Sequence, residues 1–297
     1  MANTLYGEIA GNKFKTFIIF IIFLLIFTGF WGVLGTYYDD PWQFALYGLI
    51  FSFFSIFISY FFSDKLVLSS LQAKPARKED FFDFYTVTEN LCLASGLPMP
   101  KIYIINDTSP NAFATGRNPK NAVICATTGL LTLLKRAELE GVVAHELSHI
   151  RNYDTLLMSV VAMLVGSVNF ISTALLRRRL TIGRKNSSGP SPFTFLFLFI
   201  SISAAPFILF LIQMSISRQR EYLADASAAL LTRYPEGLAD ALEKLNLNNK
   251  GLRVASTSTS HLFIINPFAD SGFQGHLSHL FSTHPSIENR IQVLRSL

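Results

Sequence analysis

Cysteine and charge are both scarce in this 297-residue sequence, and each shortage narrows the possible classes of protein. The two cysteines, Cys92 and Cys125, are too few for a disulfide framework and are typical of free or buried thiols in a reducing compartment. Charged residues make up only 15% of the chain, whereas hydrophobic residues make up 50% and the mean hydropathy is +0.37. This composition argues against an ordinary soluble protein.

Uncharged apolar residues form four runs, and each is long enough to cross a bilayer, which takes about 20 helical residues. The first run is too long for a signal-peptide core, ends without a small-residue cleavage site and is followed closely by the second. The first two runs therefore predict a retained helical hairpin. The four runs are residues 17–38, 42–63, 155–176 and 192–217.

Basic residues flank both open ends of this hairpin, so the positive-inside rule places those ends and the soluble parts of the chain in the cytoplasm. The loop between the third and fourth runs, residues 177–191, is also basic, which conflicts with full crossing by these two runs. We expect four helices in the membrane region, of which the first two span it, in a multi-pass protein of the cell inner membrane. The flanking residues are Lys13, Lys15, Lys65, Lys74, Arg77 and Lys78.

The net charge of +5 and the isoelectric point near 9.2 do not indicate a nucleic-acid partner. The basic residues cluster at the predicted membrane boundaries, where they fit anionic lipid head groups. The sequence contains no nucleic-acid motif, internal repeat or low-complexity tract. We therefore expect the lipid bilayer, and not nucleic acid, as a partner.

The soluble segments predict a mainly helical α+β fold. Residues 81–98 predict an amphipathic helix, "KIYIIND" and "AVICA" predict strands, "SPNAFATGRNPKN" predicts a loop with a short strand, and residues 127–152 predict two helices. Three more helices are expected after residue 218. The chain then divides into a hairpin (1–64), a first soluble part (65–154), a second hydrophobic hairpin (155–217) and a second soluble part (218–297).

The segment "VVAHELSHIRN" carries two histidines and a glutamate among aliphatic residues, where polar groups are costly to bury unless they are paired. Residues four apart lie on one face of a helix, so His145 and His149 can bind one zinc ion. Glu146 lies beside the metal without being forced to bind it, where it can act as a general base toward water. A cluster of satisfied polar groups on a helix face is the alternative.

A catalytic zinc with an open position needs a third protein ligand. In "SRQREYLADASA", Glu221 and Asp225 are four residues apart, so one carboxylate can bind the metal while the other accepts the second N–H of a ligating histidine. The alternative is an ordinary charged helix in which Arg218 pairs with Glu221 or Tyr222. Beside an H-E-x-x-H helix, the metal site is the favoured interpretation.

The segments "AHELSHIRNYD", "SRQREYLADASA", "PNAFATG" and "STHPS", in this order among four apolar runs, resemble the HtpX membrane metalloproteases. That family is related to the type I CAAX prenyl proteases and to gluzincins. The resemblance implies a membrane-anchored, zincin-like protease domain with one Zn²⁺ per chain. It implies His145, His149 and Glu221 as ligands, Glu146 as general base and acid, and Asp225 as the partner of a ligating histidine.

The resemblance also assigns roles to two further segments. Residues Asn111, Ala112 and Phe113 resemble the edge strand that pairs with an extended substrate; without the resemblance they are a turn with Phe113 in the core. His284 resembles the histidine that stabilises the oxyanion, although Ser286 stands where the family usually has a second proline.

Four other polar residues have weaker cases. His276 and His279 are three apart but have no acidic or cysteine companions, so we expect them at the surface or in helix packing. His261 indicates no more than a surface or core histidine. Asp154 either orients a ligand or forms a salt bridge, and the sequence does not decide between the two.

These patterns favour a zinc endopeptidase that hydrolyses membrane proteins, in membrane-protein quality control or the stress response. Its active site would face the cytoplasm, and it would need no small-molecule cofactor. One alternative is an inactive zinc-binding scaffold or chaperone, against which the presence of Glu146 argues. Another is a CAAX-type processing protease, for which four apolar runs are few.

Overall fold

The computed structural model describes residues 5–36, 38–182, 218–256, 258–268 and 285–297. Most of these residues are helical, and four strands form one small mixed sheet, which confirms the predicted fold class. The strands are β1 (Lys74–Pro75), β2 (Lys101–Ile105), β3 (Ala112–Gly116) and β4 (Ala122–Thr127). The helices are α1 (Leu5–Thr36), α2 (Pro41–Ser70), α3 (Phe82–Ser95), α4 (Thr128–Leu133), α5 (Arg136–Arg151), α6 (Asp154–Ile182), α7 (Arg218–Thr232), α8 (Pro235–Leu247) and α9 (Ile287–Arg295).

Helices α1 and α2 form the predicted hairpin and are both long and apolar enough to cross a membrane. Asp40 caps α2 by accepting a hydrogen bond from the Gln43 N–H, and Pro41 occupies the first helical position, where a backbone N–H has no helical partner. Much of the apolar surface of the hairpin is exposed; Phe17 is 57% exposed and Trp42 is 86% exposed. Side chains of this kind are stable only against lipid or another apolar partner.

Helix α6 contains the third apolar run, and its first half is buried against the hairpin. Leu157, Val161 and Leu164 pack with Ile19 and Phe23 of α1 in one apolar cluster. Residues 177–182, predicted as the start of a loop, continue α6 as helix, so the prediction is wrong there; the rest of the predicted loop and the fourth run lie outside the described residues. The first half of α6 therefore joins the hairpin to the soluble part of the chain.

The sheet has the strand order β1-β2-β4-β3, with β2 and β4 parallel and the other pairs antiparallel. Strand β3 pairs with β4 from Ala112↔Ala126 to Gly116↔Ala122, so its other side is the edge of the sheet. Part of this edge is covered by the chain itself, because the Ile264 N–H donates to the Ala112 carbonyl at 3.0 Å.

Helix α5 crosses the centre of the soluble part and packs against α3, α7, α8 and the sheet. Its N-terminus is held by Glu138, which accepts the Lys135 N–H at 2.8 Å and pairs with Lys244 of α8 at 2.7 Å. Gly141 lets α8 approach closely, because a Cβ at this position would lie 2.7 Å from the Leu238 backbone nitrogen. The close contact fixes the helix that carries the H-E-x-x-H motif.

We expect Gly141→Ala to destabilise the protein by roughly 1–3 kcal/mol, because the added methyl group meets backbone atoms that cannot move aside. Thermal unfolding of the detergent-solubilised chain measures the change. Gly166→Ala in α6 is the matched control, since a Cβ there meets nothing within 4 Å and gains helix propensity. Equal unfolding temperatures for the two variants would contradict the close α5–α8 contact.

Candidate metal centre

Three buried side chains from two helices meet at the centre of the soluble part. His145 and His149 project from one face of α5, one turn apart, and their Nε2 atoms lie 3.1 Å from each other. Glu221 of α7 faces both, with carboxylate oxygens 3.8 Å from His145 Nε2 and 3.7 Å from His149 Nε2. The structure thus brings together the three residues that the sequence predicts as ligands, with donor atoms all within 4.8 Å of one another.

The hydrogen bonds of the two imidazoles determine which nitrogens face each other. His145 Nδ1 lies 2.9 Å from Asp225 and His149 Nδ1 lies 2.9 Å from Asp154, so each Nδ1 carries the proton that its carboxylate accepts. With both imidazoles neutral, the two Nε2 lone pairs face each other beside the Glu221 carboxylate, so either a proton on one Nε2 or a metal ion must lie between them. Nitrogens bound to one tetrahedral zinc lie about 3.3 Å apart, so the site fits a zinc ion.

The charges buried around this site also favour a divalent cation. Among the described residues, four carboxylates are buried here, on Glu146, Asp154, Glu221 and Asp225, and two buried guanidiniums face them, on Arg220 and Arg290. Four negative charges against two positive charges leave an excess of two when all the carboxylates are ionised and both imidazoles are neutral, which is the state that binds a metal. Burying unbalanced charge is costly, and a doubly charged cation would remove this excess.

Glu146 lies on the same helix turn as His145 and is buried, 3% exposed. Burial raises its pKa to about 7, an effect that nearby Glu221 reinforces and His149 opposes. The Ala114 backbone N–H, at the edge of β3, donates a hydrogen bond to the Glu146 carboxylate. A carboxyl group with a pKa near neutrality and a fixed orientation is suited to general base catalysis.

Arg290 of α9 is part of the site, and the sequence analysis did not single it out. Its guanidinium is fully buried and donates to both oxygens of Asp225, at 2.6 and 2.8 Å, while Nη1 lies 3.8 Å from Glu221. This bidentate contact helps to hold the pKa of Asp225 at about 2 although burial alone would raise it. A signal was present: Arg290 occupies an apolar-stripe position, three residues after Ile287 and four before Leu294.

Asp154, whose role the sequence left open, both orients a ligand and forms an ion pair. One carboxylate oxygen accepts the His149 Nδ1–H, and the other contacts Arg220 of α7 at 3.1 Å and Asn12 of α1 at 2.6 Å. Asp154 is the first residue of α6, directly after Tyr153, whose positive φ of 61° turns the chain from α5 into α6. Neither Asn12 nor Arg220 was singled out from the sequence.

Of the predicted substrate-binding residues, Ala112 and Phe113 lie on β3 and Asn111 directly precedes it, with their outward polar groups paired inside the chain. The Asn111 side-chain amide donates to the Ile265 carbonyl at 3.1 Å, and the Ala112 carbonyl accepts the Ile264 N–H. The Phe113 ring is fully buried and packs edge-on against Phe263. The structure thus has a sheet edge beside Glu146, as the family resemblance implies. It also has Phe113 in the core, as expected without the resemblance.

The remaining histidines divide into two groups. His284, the predicted oxyanion residue, lies outside the described residues, as do His276 and His279. His261 is buried, and its Nε2 bonds to the Met158 carbonyl at 3.0 Å, which is a core position as the sequence allowed.

Two imidazoles of an H-E-x-x-H helix with a glutamate from a second helix, in a mainly helical domain, define a metallopeptidase of the gluzincin type. Comparison with known proteins agrees. The model of peptidase family M48 matches residues 81–297, and the chain belongs to this family and, within it, to the HtpX-type proteases. The predicted resemblance and the predicted class of enzyme, a metalloprotease, are thereby confirmed.

Relatives named "Protease HtpX homolog" match along nearly the whole chain. The protein of Dictyoglomus thermophilum is 43% identical over 296 residues, covering 99% of this chain and 95% of that one. The protein of Tropheryma whipplei is 42% identical over 293 residues, with coverage of 99% and 98%. Among solved structures, the crystal structure of S. mikatae Ste24p has the same fold, with a TM-score of 0.52 and 20% identity; the match covers 91% of this chain and 62% of that one.

We predict that zinc binding weakens as the pH falls from 8 to 6. Burial alone lowers the pKa of His149, but the hydrogen bond to Asp154 and the charge of Glu221 raise it to about 9. Below pH 9, His149 therefore holds a second ring proton, on Nε2, in addition to the one on Nδ1. Zinc must displace this second proton, so the apparent affinity falls about tenfold for each unit by which the pH is lowered. The pKa of His145, which burial lowers to about 4, adds nothing in this range.

Competition against a chromophoric chelator of known proton affinity measures this dependence. Asp154→Asn is the control, because it removes the carboxylate that favours the protonated ring and moves the onset of weakening to lower pH. A flat affinity between pH 8 and 6 in the unaltered chain would contradict the prediction.

We expect Arg290→Met to destabilise the metal-free protein by about 3–5 kcal/mol, since it leaves the Asp225 carboxylate buried without its bidentate partner. Arg290→Lys keeps the charge but not the two-pronged geometry, and should recover only part of the loss. Denaturant unfolding measures both. Arg295→Met, on the same helix, is the control: its ion pairs with Asp240 and Glu243 are exposed, and little change is expected.

Proposed function

We propose that this chain is a zinc-dependent endopeptidase that cleaves membrane proteins near the bilayer surface. His145, His149 and Glu221 would hold one Zn²⁺ per chain, with Glu146 as general base and acid. The observation that carries the proposal is the convergence of three buried ligand atoms within 4.8 Å, beside a glutamate whose pKa burial raises to about 7. When bound, zinc supplies a Lewis acid that activates water and polarises a peptide carbonyl.

Glu146 performs the proton transfers of this reaction. Its carboxylate takes a proton from the attacking water and returns it to the amine that leaves the broken peptide bond, so that it ends the cycle in its starting state. The Ala114 N–H keeps the carboxylate oriented during both transfers. His284 would donate a hydrogen bond to the oxyanion of the tetrahedral intermediate.

The substrate would bind as an additional strand along the outer edge of β3. Edge strands recognise extended peptides through backbone hydrogen bonds, and Glu146 is hydrogen-bonded to this edge at Ala114. At Ala112, the incoming peptide competes with Ile264 for the carbonyl oxygen, and Asn111 would exchange its bond to Ile265 for one to a substrate carbonyl. These exchanges keep Ala112 and Asn111 hydrogen-bonded and release the Ile264 N–H and the Ile265 carbonyl.

Membrane proteins are the proposed substrates because the site is joined directly to the apolar helices. Two residues separate α5, which carries two ligands, from α6, and α6 packs against the hairpin. The basic residues that flank the hairpin favour a multi-pass protein with the active site on the cytoplasmic side of the inner membrane. This location suits a role in membrane-protein quality control or the stress response.

An inactive scaffold that binds zinc is the less favoured alternative. Metal binding alone needs only His145, His149 and Glu221. Glu146 is an additional acidic group beside these ligands, and its burial costs free energy. A role of Glu146 in proton transfer explains why the chain buries this carboxylate despite the cost.

We predict that Glu146→Gln lowers proteolysis of a detergent-solubilised membrane protein by about 10²–10⁴-fold, because it removes the general base. Zinc content should stay near one ion per chain in Glu146→Gln and fall strongly in Glu221→Ala. The assay compares both variants and the unaltered chain, with and without a zinc chelator, by electrophoresis of the products and metal analysis.

Glu140→Gln on the same helix is the matched control, since its ion pair with Arg136 is exposed and lies away from the ligands; its activity should be unchanged. Proteolysis that persists in Glu146→Gln or in chelator would overturn the mechanism. Zinc loss in Glu146→Gln together with zinc retention in Glu221→Ala would mean that Glu146 is the metal ligand and Glu221 the general base.

A further inference from the structure

A polar residue of the first apolar helix reaches the surroundings of the metal ligands. Asn12 of α1 is 1% exposed, and its amide nitrogen donates to Asp154 Oδ1 at 2.6 Å and to the Asn152 carbonyl at 3.0 Å. Its amide oxygen accepts a contact from Arg220 at 3.4 Å. Both hydrogens and the oxygen of the Asn12 amide are therefore hydrogen-bonded, and each partner lies more than a hundred residues away in the sequence.

The two oxygens of Asp154 have separate tasks. Oδ2 accepts the His149 Nδ1–H at 2.9 Å, and Oδ1 receives Asn12 and Arg220. Because both oxygens belong to one rigid plane, the donors on Oδ1 fix the plane in which Oδ2 meets the imidazole. The orientation of the His149 ring thus depends on a side chain of α1 through a single intermediate residue.

The surroundings of Asn12 show that an amide is needed at this position. The same face of α1 continues with Thr16, Ile19 and Phe23, all buried, so Asn12 lies at the polar end of an otherwise apolar contact. A buried amide in such a place is costly unless all its groups are paired. Next to it, the Lys13 ammonium lies 4.2 Å from the Tyr153 ring centroid, which makes a second contact between α1 and the α5–α6 junction.

The peptidase M48 model matches residues 81–297, so Asn12 belongs to a part of the chain that precedes that match. We propose that Asn12 is a positioning residue for the metal centre, which acts through Asp154 on His149 and makes tight zinc binding depend on the docking of α1. This inference rests on the ligands assigned under the proposed function. It adds the first helix of the hairpin to the parts of the molecule that determine metal affinity.

The test measures zinc affinity in the full-length, detergent-solubilised chain by competition with a chromophoric chelator at fixed pH. Direct partners of a metal ligand contribute about 10–100-fold to affinity, and Asn12 acts one contact further out, so Asn12→Leu should weaken binding roughly three- to tenfold. Thr16→Val is the matched control: its hydroxyl is equally buried on the same face of α1, but bonds only to the Asn12 backbone carbonyl. Its affinity should equal that of the unaltered chain.

A double-mutant cycle separates positioning from a general loss of structure. If Asn12 acts through Asp154, Asn12→Leu should have little further effect in an Asp154→Asn background, whereas independent effects would add. Full additivity would overturn the inference. If Asn12→Leu does not fold, Asn12→Ser removes the amide with a smaller change of surface and enters the same cycle.

The outcomes distinguish this inference from the proposal on which it rests. Wild-type affinity in Asn12→Leu, together with strong loss in Glu221→Ala, would overturn the role of Asn12 alone. An unaltered chain that binds zinc no better than Glu221→Ala would instead overturn the ligand assignment.

Discussion

The surplus of buried negative charge around His145 and His149 is the constraint on which the rest of the structure depends. Four carboxylates and two guanidiniums share one poorly hydrated region, and such an imbalance opposes folding unless bound protons or a metal cation compensate it. Folding of this region and metal binding are therefore thermodynamically linked. The helices that meet here come from the beginning, middle and end of the chain, and the charge balance holds only when all of them are in place.

The two imidazoles are oriented from opposite directions. His145 is held by Asp225, which Arg290 of the final helix grips through both oxygens. His149 is held by Asp154, whose other oxygen accepts hydrogen bonds from Asn12 of the apolar hairpin and from Arg220 of α7. Glu221 faces both rings from α7. The geometry of the site is thus a compromise between the soluble helices and the apolar hairpin.

Short-range patterns made part of this site predictable. The i, i+4 spacing places the two histidines on one face, and the neighbouring carboxylates on α7 follow from the same rule together with the family resemblance. Arg290 was missed although it interrupts an apolar stripe, because a lone arginine in an amphipathic helix is usually exposed. Asn12 could not be found, and neither could the contact of Ile264 with β3. Both depend on segments more than a hundred residues apart, and local periodicity carries no information about such pairings.

The contact between α1 and the metal centre also sets a distance. Asn12 precedes Phe17, the first residue of the first apolar run, by five residues, and a helix rises 1.5 Å per residue, so Asn12 lies about a turn and a half before that run begins. With membrane proteins as the proposed substrates, a peptide bond cut near this level would belong to a polypeptide that has just left the lipid. Cutting there would release the extramembrane portion of a client protein and leave its anchor embedded as a stub.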